Sequence, residues 1–514
     1  MSSQEQRAAL QRKIWDIAND VRGSVDGWDF KQYVLGTLFY RFISENFAAY
    51  IEADDESIDY AALSDDVITD EIKDDAIKTK GYFIYPSQLF ANVAKNANTN
   101  DSLNTDLAKI FAAIESSANG YPSEEDIKGL FADFDTTSTR LGNTVTEKNS
   151  RLAKVLKRVA ELDFGDFHNS QIDLFGDAYE FLVKNFASDS GKKGGEFYTP
   201  PEVSRLLARI LDPKPGDRIC DPCCGSASLL IRAGEQVPEG ENGVRDVALF
   251  GQELNGATWA LAKMNMYLHG FDQARIERGD TIRSPKLVED DQLMRFDVVV
   301  ANPPFSLDKW GADGAESDRW QRFHRGVPPK SKGDYAFISH MIEAMNPVHG
   351  RVGVVVPHGV LFRGGAEAVI RRRLIKENLL DGVVGLPANL FYGVGIPAAL
   401  LFFRRGKVDD SVFFIDASRE FEKGKNQNRL RVEDMDRIVA TWQAREDVAR
   451  YARRATTADV MANDGNLNIP LYVDTFEAEE AVDLSAIQAE IGRLEAELAS
   501  TRVQLSAALE ELGL

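Results

Sequence analysis

The sequence predicts an α/β protein: a mostly parallel sheet covered by helices on both faces, an all-helical segment before it and a coiled-coil helix after it. Three observations lead there. Between Arg218 and Ile415, short β-branched runs alternate with helical patterns, the spacing of βαβ units. Ahead of them, apolar residues recur at helical intervals, and beyond Val482 they fall on a heptad. The chain has 514 residues, too many for one ordinary core, so two to four domains are expected from length, and the patterns divide it into three parts. These are a helical N-terminal domain over 1–165, an α/β domain over 166–475 and a C-terminal coiled-coil helix for subunit contact over 476–514.

Composition bounds the function classes. A 44% apolar share fits a globular protein. With 60 Lys and Arg against 81 Asp and Glu, the net charge is −21, and such a surface on average repels phosphate backbones. No apolar run approaches the roughly 20 residues of a membrane span, and Met1 to Asp20 has no apolar signal core, so a cytoplasmic protein without membrane contact is expected. Its three cysteines, Cys220, Cys223 and Cys224, sit too close together for a disulfide framework. Four zinc ligands are not at hand either, so reduced thiols in a tight turn and no metal are expected.

In chain order, Trp15, Ile17, Ala18 and Val21 begin one apolar helix face, and Tyr33, Val34, Leu38, Phe39 and Phe42 continue a second. Gly23 to Gly27 breaks the two apart. Glu52 to Asp75 is strongly acidic and reads as a solvated face or loop. Gly191-Lys192-Lys193-Gly194-Gly195 then marks the change of regime. The strand signals follow: Arg218 to Cys220, Ala248 to Gly251, Phe296 to Ala301, Val352 to Val356, Gly382 to Leu386, Ala398 to Phe403 and Val412 to Ile415. The last ones, crowded between Pro397 and Ile415, predict an antiparallel edge. Finally Leu484, Ile487, Ile491, Leu494, Leu498, Leu505 and Leu512 occupy a and d positions, with breaks at Thr501 and Ala508. So short a repeat makes a weak homodimer and fits a helix on another subunit better than one on its own chain.

Four strand ends carry candidate chemistry. Asp221-Pro222-Cys223-Cys224-Gly225-Ser226-Ala227-Ser228 follows the first strand and opens a helix, where small residues let the backbone approach a cofactor and Asp221 can accept from a cationic amine. It lacks the Gly-Lys-Ser/Thr ending of a phosphate loop. Glu253 closes the next strand, where a carboxylate accepts both hydroxyls of a ribose. After the third strand signal, Asp280 is placed to accept from an adenine amino group. The strongest signal is Asn302-Pro303-Pro304-Phe305, directly after an apolar strand. Two prolines stop the ladder and fix the backbone, so the Asn302 side chain and the Pro303 carbonyl stand as acceptors beside the flat face of Phe305. That set suits the exocyclic amine of a planar base taken out of its stack. Singly, these features also read as a tight turn, a surface Glu and a structural Pro-Pro turn; together in one α/β frame they favour the chemical reading.

These motifs resemble those of S-adenosylmethionine-dependent adenine-N6 DNA methyltransferases, with the cofactor motif ahead of Asn-Pro-Pro-Phe. Glu196-Phe197-Tyr198-Thr199-Pro200-Pro201 resembles the stretch that closes over the methionine end of the cofactor. With the helical N-terminal domain and the heptad tail, nearly the whole chain resembles the modification (M) subunit of type I restriction-modification systems. The resemblance implies a Rossmann-like S-adenosylmethionine-dependent methyltransferase sheet. It assigns Glu196 to Pro201, Asp221, Gly225, Ser226, Ala227, Ser228, Glu253 and Asp280 to S-adenosyl-L-methionine, and Asn302, Pro303, Pro304 and Phe305 to the target adenine. Ala227 stands where many methyltransferases have Gly, and related modification subunits also carry Ala there.

The implied partners are DNA, a specificity (S) subunit that chooses the target, a restriction (R) subunit and a second copy of the M subunit; the implied role is protection of host DNA from restriction. No helix-turn-helix, zinc finger, nucleotide loop or nuclease constellation is recognisable in the sequence. Two other classes remain open, an RNA or protein-glutamine methyltransferase and a non-catalytic assembly protein. His324, His340 and His358 are expected as surface or core residues. Arg371-Arg372-Arg373 is expected to flank the sheet on a helix. Lys330-Ser331-Lys332-Gly333, at the end of the long polar loop from Trp310, is the better candidate for a DNA-facing rim.

Overall fold

The computed structural model describes residues 10–14, 16–17, 29–53, 55, 57–164, 172–189, 199–241, 243–391, 395–425, 427–475 and 484–511. Trp15, Ala18, Val21, Gly23 to Gly27, Gly191 to Gly195, Glu196, Phe197, Tyr198, Val482 and Leu512 lie outside them. The chain forms two compact units, Met1–Val473 and Asp474–Leu514.

The first part of the larger unit is helical because its apolar residues repeat every third or fourth position. Helix Asp29–Glu52 buries Tyr33, Val34, Leu38, Phe39 and Phe42. It packs on helices Phe90–Asn96, Val145–Ala160 and Ile172–Asp189. The core is aromatic: the Phe111 and Phe131 rings stack with centroids 4.2 Å apart, and Tyr40 meets Phe111 edge-on at 5.2 Å. Thr144 and Glu147 form a capping box that starts helix Val145–Ala160. The acidic stretch forms two short 3-10 turns, Tyr60–Ala62 and Asp65–Val67, then enters helix Asp70–Lys80. It is mostly solvated but anchored by buried Tyr60, whose hydroxyl donates to the Ile84 carbonyl at 2.8 Å.

The helical core does not end at the start of the α/β region. It takes in Met264 and Leu268 of helix Gly256–Leu268, and the Tyr179 hydroxyl donates to the Leu261 carbonyl at 3.1 Å. Arg232 of helix Ser228–Glu235 ties the two together by pairing with Glu180, while Glu235 of its own helix holds the guanidinium in place.

The sheet strands are β1 Arg218–Asp221, β2 Ala248–Glu253, β3 Arg275–Arg278, β6 Val298–Ala301, β7 Arg351–Pro357, β8 Leu380–Gly385, β9 Ala398–Arg404, β10 Ser411–Asp416 and β11 Ala452–Thr456. A separate small hairpin pairs β4 Val288–Glu289 with β5 Gln292–Leu293. The main order is β11-β10-β8-β9-β7-β6-β1-β2-β3. Five of its neighbouring pairs run parallel; β9 is antiparallel to both β7 and β8, and β11 to β10. Each expected strand run overlaps a strand of this sheet.

The expected antiparallel edge from Pro397 to Ile415 needs correction. β9 lies inside the sheet, with Val355 opposite Leu400, and β10 runs parallel to β8. The reason shows in its side chains: β9 is buried on both faces from Ala398 to Phe403, as only an interior strand can be. The antiparallel edge is β11, whose Arg453 and Arg454 face solvent. Chain order reverses at β1, which has β2 and β3 on one side and β6 on the other, and such a reversal opens a crevice beyond the strand ends.

In the smaller unit, helix Leu484–Glu511 leaves Ile487, Ile491, Leu494, Leu498 and Leu505 each about half exposed. Among the described residues no helix is long and apolar enough to cross a membrane. The three cysteines are free thiols.

Candidate active site

A cavity of about 1090 Å³ opens where β1, β2, β3 and β6 end. Pro222 and Cys223 come from the turn after β1, Glu253 from the end of β2, Asp280 and Thr281 from the turn after β3, and Pro304 and Phe305 from the segment after β6. The fold thus brings four sequence motifs to one place.

The turn after β1 is strained and largely buried. Gly225 and Ala227 both have positive φ, +55° and +63°, and Ala227 is the N-cap of helix Ser228–Glu235. A Cβ in that conformation costs about 1 kcal/mol, which is why glycine is favoured there. The Ser226 and Ser228 hydroxyls are 3.0 Å apart, and Asn265 donates to the Ser226 carbonyl at 2.9 Å. Asp221 is buried and accepts from the Cys223 backbone N–H at 3.0 Å. Burial, with the nearby Glu253 charge, pushes its pKa up to about 7. Burial likewise raises the thiols of Cys220, Cys223 and Cys224, which keeps them protonated.

Glu253 projects from β2 with both oxygens accepting backbone N–H groups, from Gly225 at 3.1 Å and Asn255 at 2.8 Å. Burial outweighs those bonds and raises its pKa. Asp280 is more fully engaged: it accepts from the backbone of Ile282 and Arg283, each at 2.9 Å, and from the Arg283 guanidinium at 2.8 Å. It lines the cavity as the frame of the β3 turn.

Asn302 leaves the end of β6 buried. Its amide donates to the Thr199 hydroxyl at 3.1 Å, while its Oδ1 is buried without a partner among the described residues. Phe305 packs on Phe391 with ring centroids 5.9 Å apart. Of the expected cofactor-closing stretch, Thr199 and Pro200 are described as buried and Pro201 opens helix Pro201–Leu211.

Sequence reasoning missed what holds the segment after β6. Its neck is closed by Ser306 N–H to Asp334 at 2.9 Å and Gly333 N–H to the Leu307 carbonyl at 2.9 Å. Inside it, the Trp310 indole donates to the Pro329 carbonyl at 2.8 Å. Buried Arg322 pairs with Asp318 at 2.6 Å and donates to the carbonyls of Thr281 at 3.1 Å and Ile282 at 2.7 Å, riveting the segment to the β3 turn. Nothing in sequence spacing marks such a guanidinium. Thr281 is another tie, its hydroxyl donating to the Pro222 carbonyl.

The remaining candidates fall outside this cluster. His340 is buried, and burial beside Arg322 drives its pKa down to about 3; burial also lowers His358, and His324 is exposed. Arg371 is a structural residue that donates to the carbonyls of Gly465, Val360 and Arg363. Arg372 pairs with Asp464 at 2.9 Å, and Arg373 donates to the His324 carbonyl at 3.1 Å. Lys330 is exposed and pairs with Asp313 at 2.7 Å. Among the described residues no group of three His, Cys, Asp or Glu side chains is gathered to hold a metal ion.

With the site laid out, its relatives can be compared. A family model described as N-6 DNA methylase matches residues 170–481, and one described as HsdM N-terminal domain matches 10–159. A type I restriction enzyme methylase subunit of Mycoplasma pneumoniae, MpnII, is 37% identical over 95% of this chain and 94% of its own. The EcoKI methylase subunit of Escherichia coli is 32% identical over 55% of this chain and 54% of its own. The crystal structure of a type I restriction-modification methyltransferase subunit from Streptococcus thermophilus superposes with a TM-score of 0.81 at 34% identity, over 91% of this chain and all of that one. With the Rossmann-like sheet and helical N-terminal region, these matches settle the kinship: the chain belongs to the N-6 DNA methylase family, among the methylase (M) subunits of type I restriction-modification systems.

Proposed function

We propose that this chain transfers a methyl group from S-adenosyl-L-methionine to N6 of an adenine rotated out of duplex DNA, at sites chosen by a separate specificity subunit. The observation that supports this most is Asn302 Oδ1, a buried acceptor at the end of β6 without a donor among the described residues. An orphaned buried acceptor costs about 1–3 kcal/mol, a cost that a bound amine removes. Phe305, on the cavity wall beside it, offers a face for the base and helps offset an unstacking cost of a few kcal/mol.

The residues around the cavity fit the cofactor. A buried carboxylate without a cationic partner among the described residues, Asp221, suits the amino group of the methionine end, and Glu253 is poised for the ribose. Ser226 to Ser228 and Gly225 hold the backbone turn that comes close to it, Asp280 frames the adenine end, and Thr199, which opens the stretch to Pro201, contacts Asn302. When bound, the cofactor supplies an electrophilic methyl on a sulfonium. Asn302 Oδ1 and the Pro303 carbonyl accept the two N6 hydrogens, which draws the nitrogen lone pair out of the ring and toward reaction. The fixed Pro303-Pro304 backbone holds that geometry. No strong base is required, and the released proton passes to water.

The division of labour is part of the same reading. The chain divides near residues 165 and 475 into a partner-binding helical domain, a catalytic domain and a tail that docks on the specificity subunit. The apolar heptad stripe of Leu484–Glu511 supports the last point. A restriction subunit and a second M subunit complete the complex, and modified host DNA escapes cutting. Transfer of labelled methyl to unmethylated genomic DNA, with and without the co-expressed specificity subunit, is the test. Activity only in the complex is expected. Equal activity of the isolated chain overturns the obligate-subunit reading, and label found only in RNA or protein overturns the substrate.

A further inference from the structure

Beside the adenine site lies a second cavity of about 940 Å³ that the proposed reaction does not use. The two share Ile282, Arg283, Asp308 and Lys309 in their linings, so they are immediate neighbours. Its far side is the closed segment after β6, with Trp320 and the exposed cations Arg319 and Lys330. In a chain of net charge −21, this lining carries five cationic side chains against three acidic ones.

We propose that this cavity holds the nucleotide flanking the flipped adenine, its phosphate met by Lys330 and Arg319 and its acceptors by the Trp320 indole. The inference rests on the DNA reading above. Three observations favour it. The Trp320 Nε1 donor is buried and has no acceptor among the described residues, which asks for a ligand with acceptor atoms. The Lys330–Asp313 and Arg319–Asp291 pairs are largely solvated, with lysine and aspartate 80% and 90% exposed in the first, so exchanging a carboxylate for a phosphate costs little. The Arg322–Asp318 pair behind them is buried and keeps the wall rigid. An aromatic side chain among cations is the general form of a site for unstacked nucleotides.

The test uses the complex with its specificity subunit and three variants, Trp320→Ala, Trp320→Phe and Lys330→Ala. Trp320→Ala is expected to raise the KM for unmethylated genomic DNA about tenfold. Trp320→Phe, which keeps the ring and loses the donor, should fall between it and wild type. Lys330→Ala should lower the slope of log(kcat/KM) against log salt by about one. Cofactor affinity, measured by calorimetry, should stay at the wild-type value in all three. If Trp320→Ala does not fold, the other two variants decide. Wild-type KM and salt slope in both of those overturn the inference. A wild-type complex that fails to methylate DNA overturns the DNA reading itself, a separable outcome.

Discussion

The turn after β1 and the segment after β6 face the same cavity and are held in opposite ways. The turn keeps its tension: Ala227 sits at φ +63°, and Asp221 is buried with one backbone donor and no cation among the described residues. The segment after β6 is long, yet it closes its neck, seats Trp310 and rivets itself through Arg322. Among the described residues it leaves two buried groups unpaired, the Asn302 acceptor at its start and the Trp320 donor, against this network of ties. The difference separates two ways of preparing a site. One leaves polar groups unsatisfied where a ligand must satisfy them, and the other spends its hydrogen bonds on making the surroundings rigid.

Breaking the orphaned acceptor should have the largest effect. Asn302→Ala is expected to lower methyl transfer by about 10²–10³-fold while calorimetry finds unchanged cofactor affinity. Retained transfer means that Asn302 is a structural residue like those around it.

Breaking the rivet tests the other side of the contrast. Arg322→Ala leaves Asp318 buried without its partner, a loss of about 3–5 kcal/mol. Amide exchange across residues 306–333 should then quicken by about 10²–10³-fold or more, with exchange in the turn after β1 unaltered. Quickening in both regions shows that they are one cooperative unit.

Asp221 sharpens the contrast through pH. In the cofactor-free fold its carboxyl keeps its proton up to about pH 7, whereas in the unfolded chain it ionises near 3.8. The folded state therefore binds more protons between those values, and stability falls as pH rises from about 4 to about 7. Cofactor affinity should run the other way and increase through pH 7, because the charged carboxylate is the better partner for an ammonium. Asp221→Asn should flatten both trends and weaken cofactor binding roughly tenfold at pH 8. Unchanged pH dependence of binding in that variant removes Asp221 from the cofactor site.

The smallest effect belongs to Ala227. Ala227→Gly should raise stability by about 1 kcal/mol, read from the denaturation midpoint, because glycine takes positive φ without strain. A loss of stability instead shows that the methyl group, fully buried here, contributes more by packing than it costs.

Much of this was legible in the chain. Asn302 to Phe305, Glu253 and the turn from Asp221 could be found because strand-end chemistry has a local pattern: an apolar run, then a polar or small residue, then a breaker. The strands themselves showed as β-branched runs. The position of β9 did not show, since a run buried on both faces says that it is interior but not which neighbours it has. β11 was missed because Ala452 to Thr456 has a weak alternation carried by two arginines.

Local order along the chain thus decided which residues end strands, which faces are apolar and which motifs succeed one another, because periodicity and turn chemistry act over a few residues. Tertiary structure alone decided that β9 threads between β7 and β8 and that helix Gly256–Leu268 shares a core with the N-terminal helices. It also decided that Arg322 is buried while Lys330 is exposed. Those outcomes depend on burial and on partners far away in sequence, and a side chain's desolvation has no signature in its immediate neighbours.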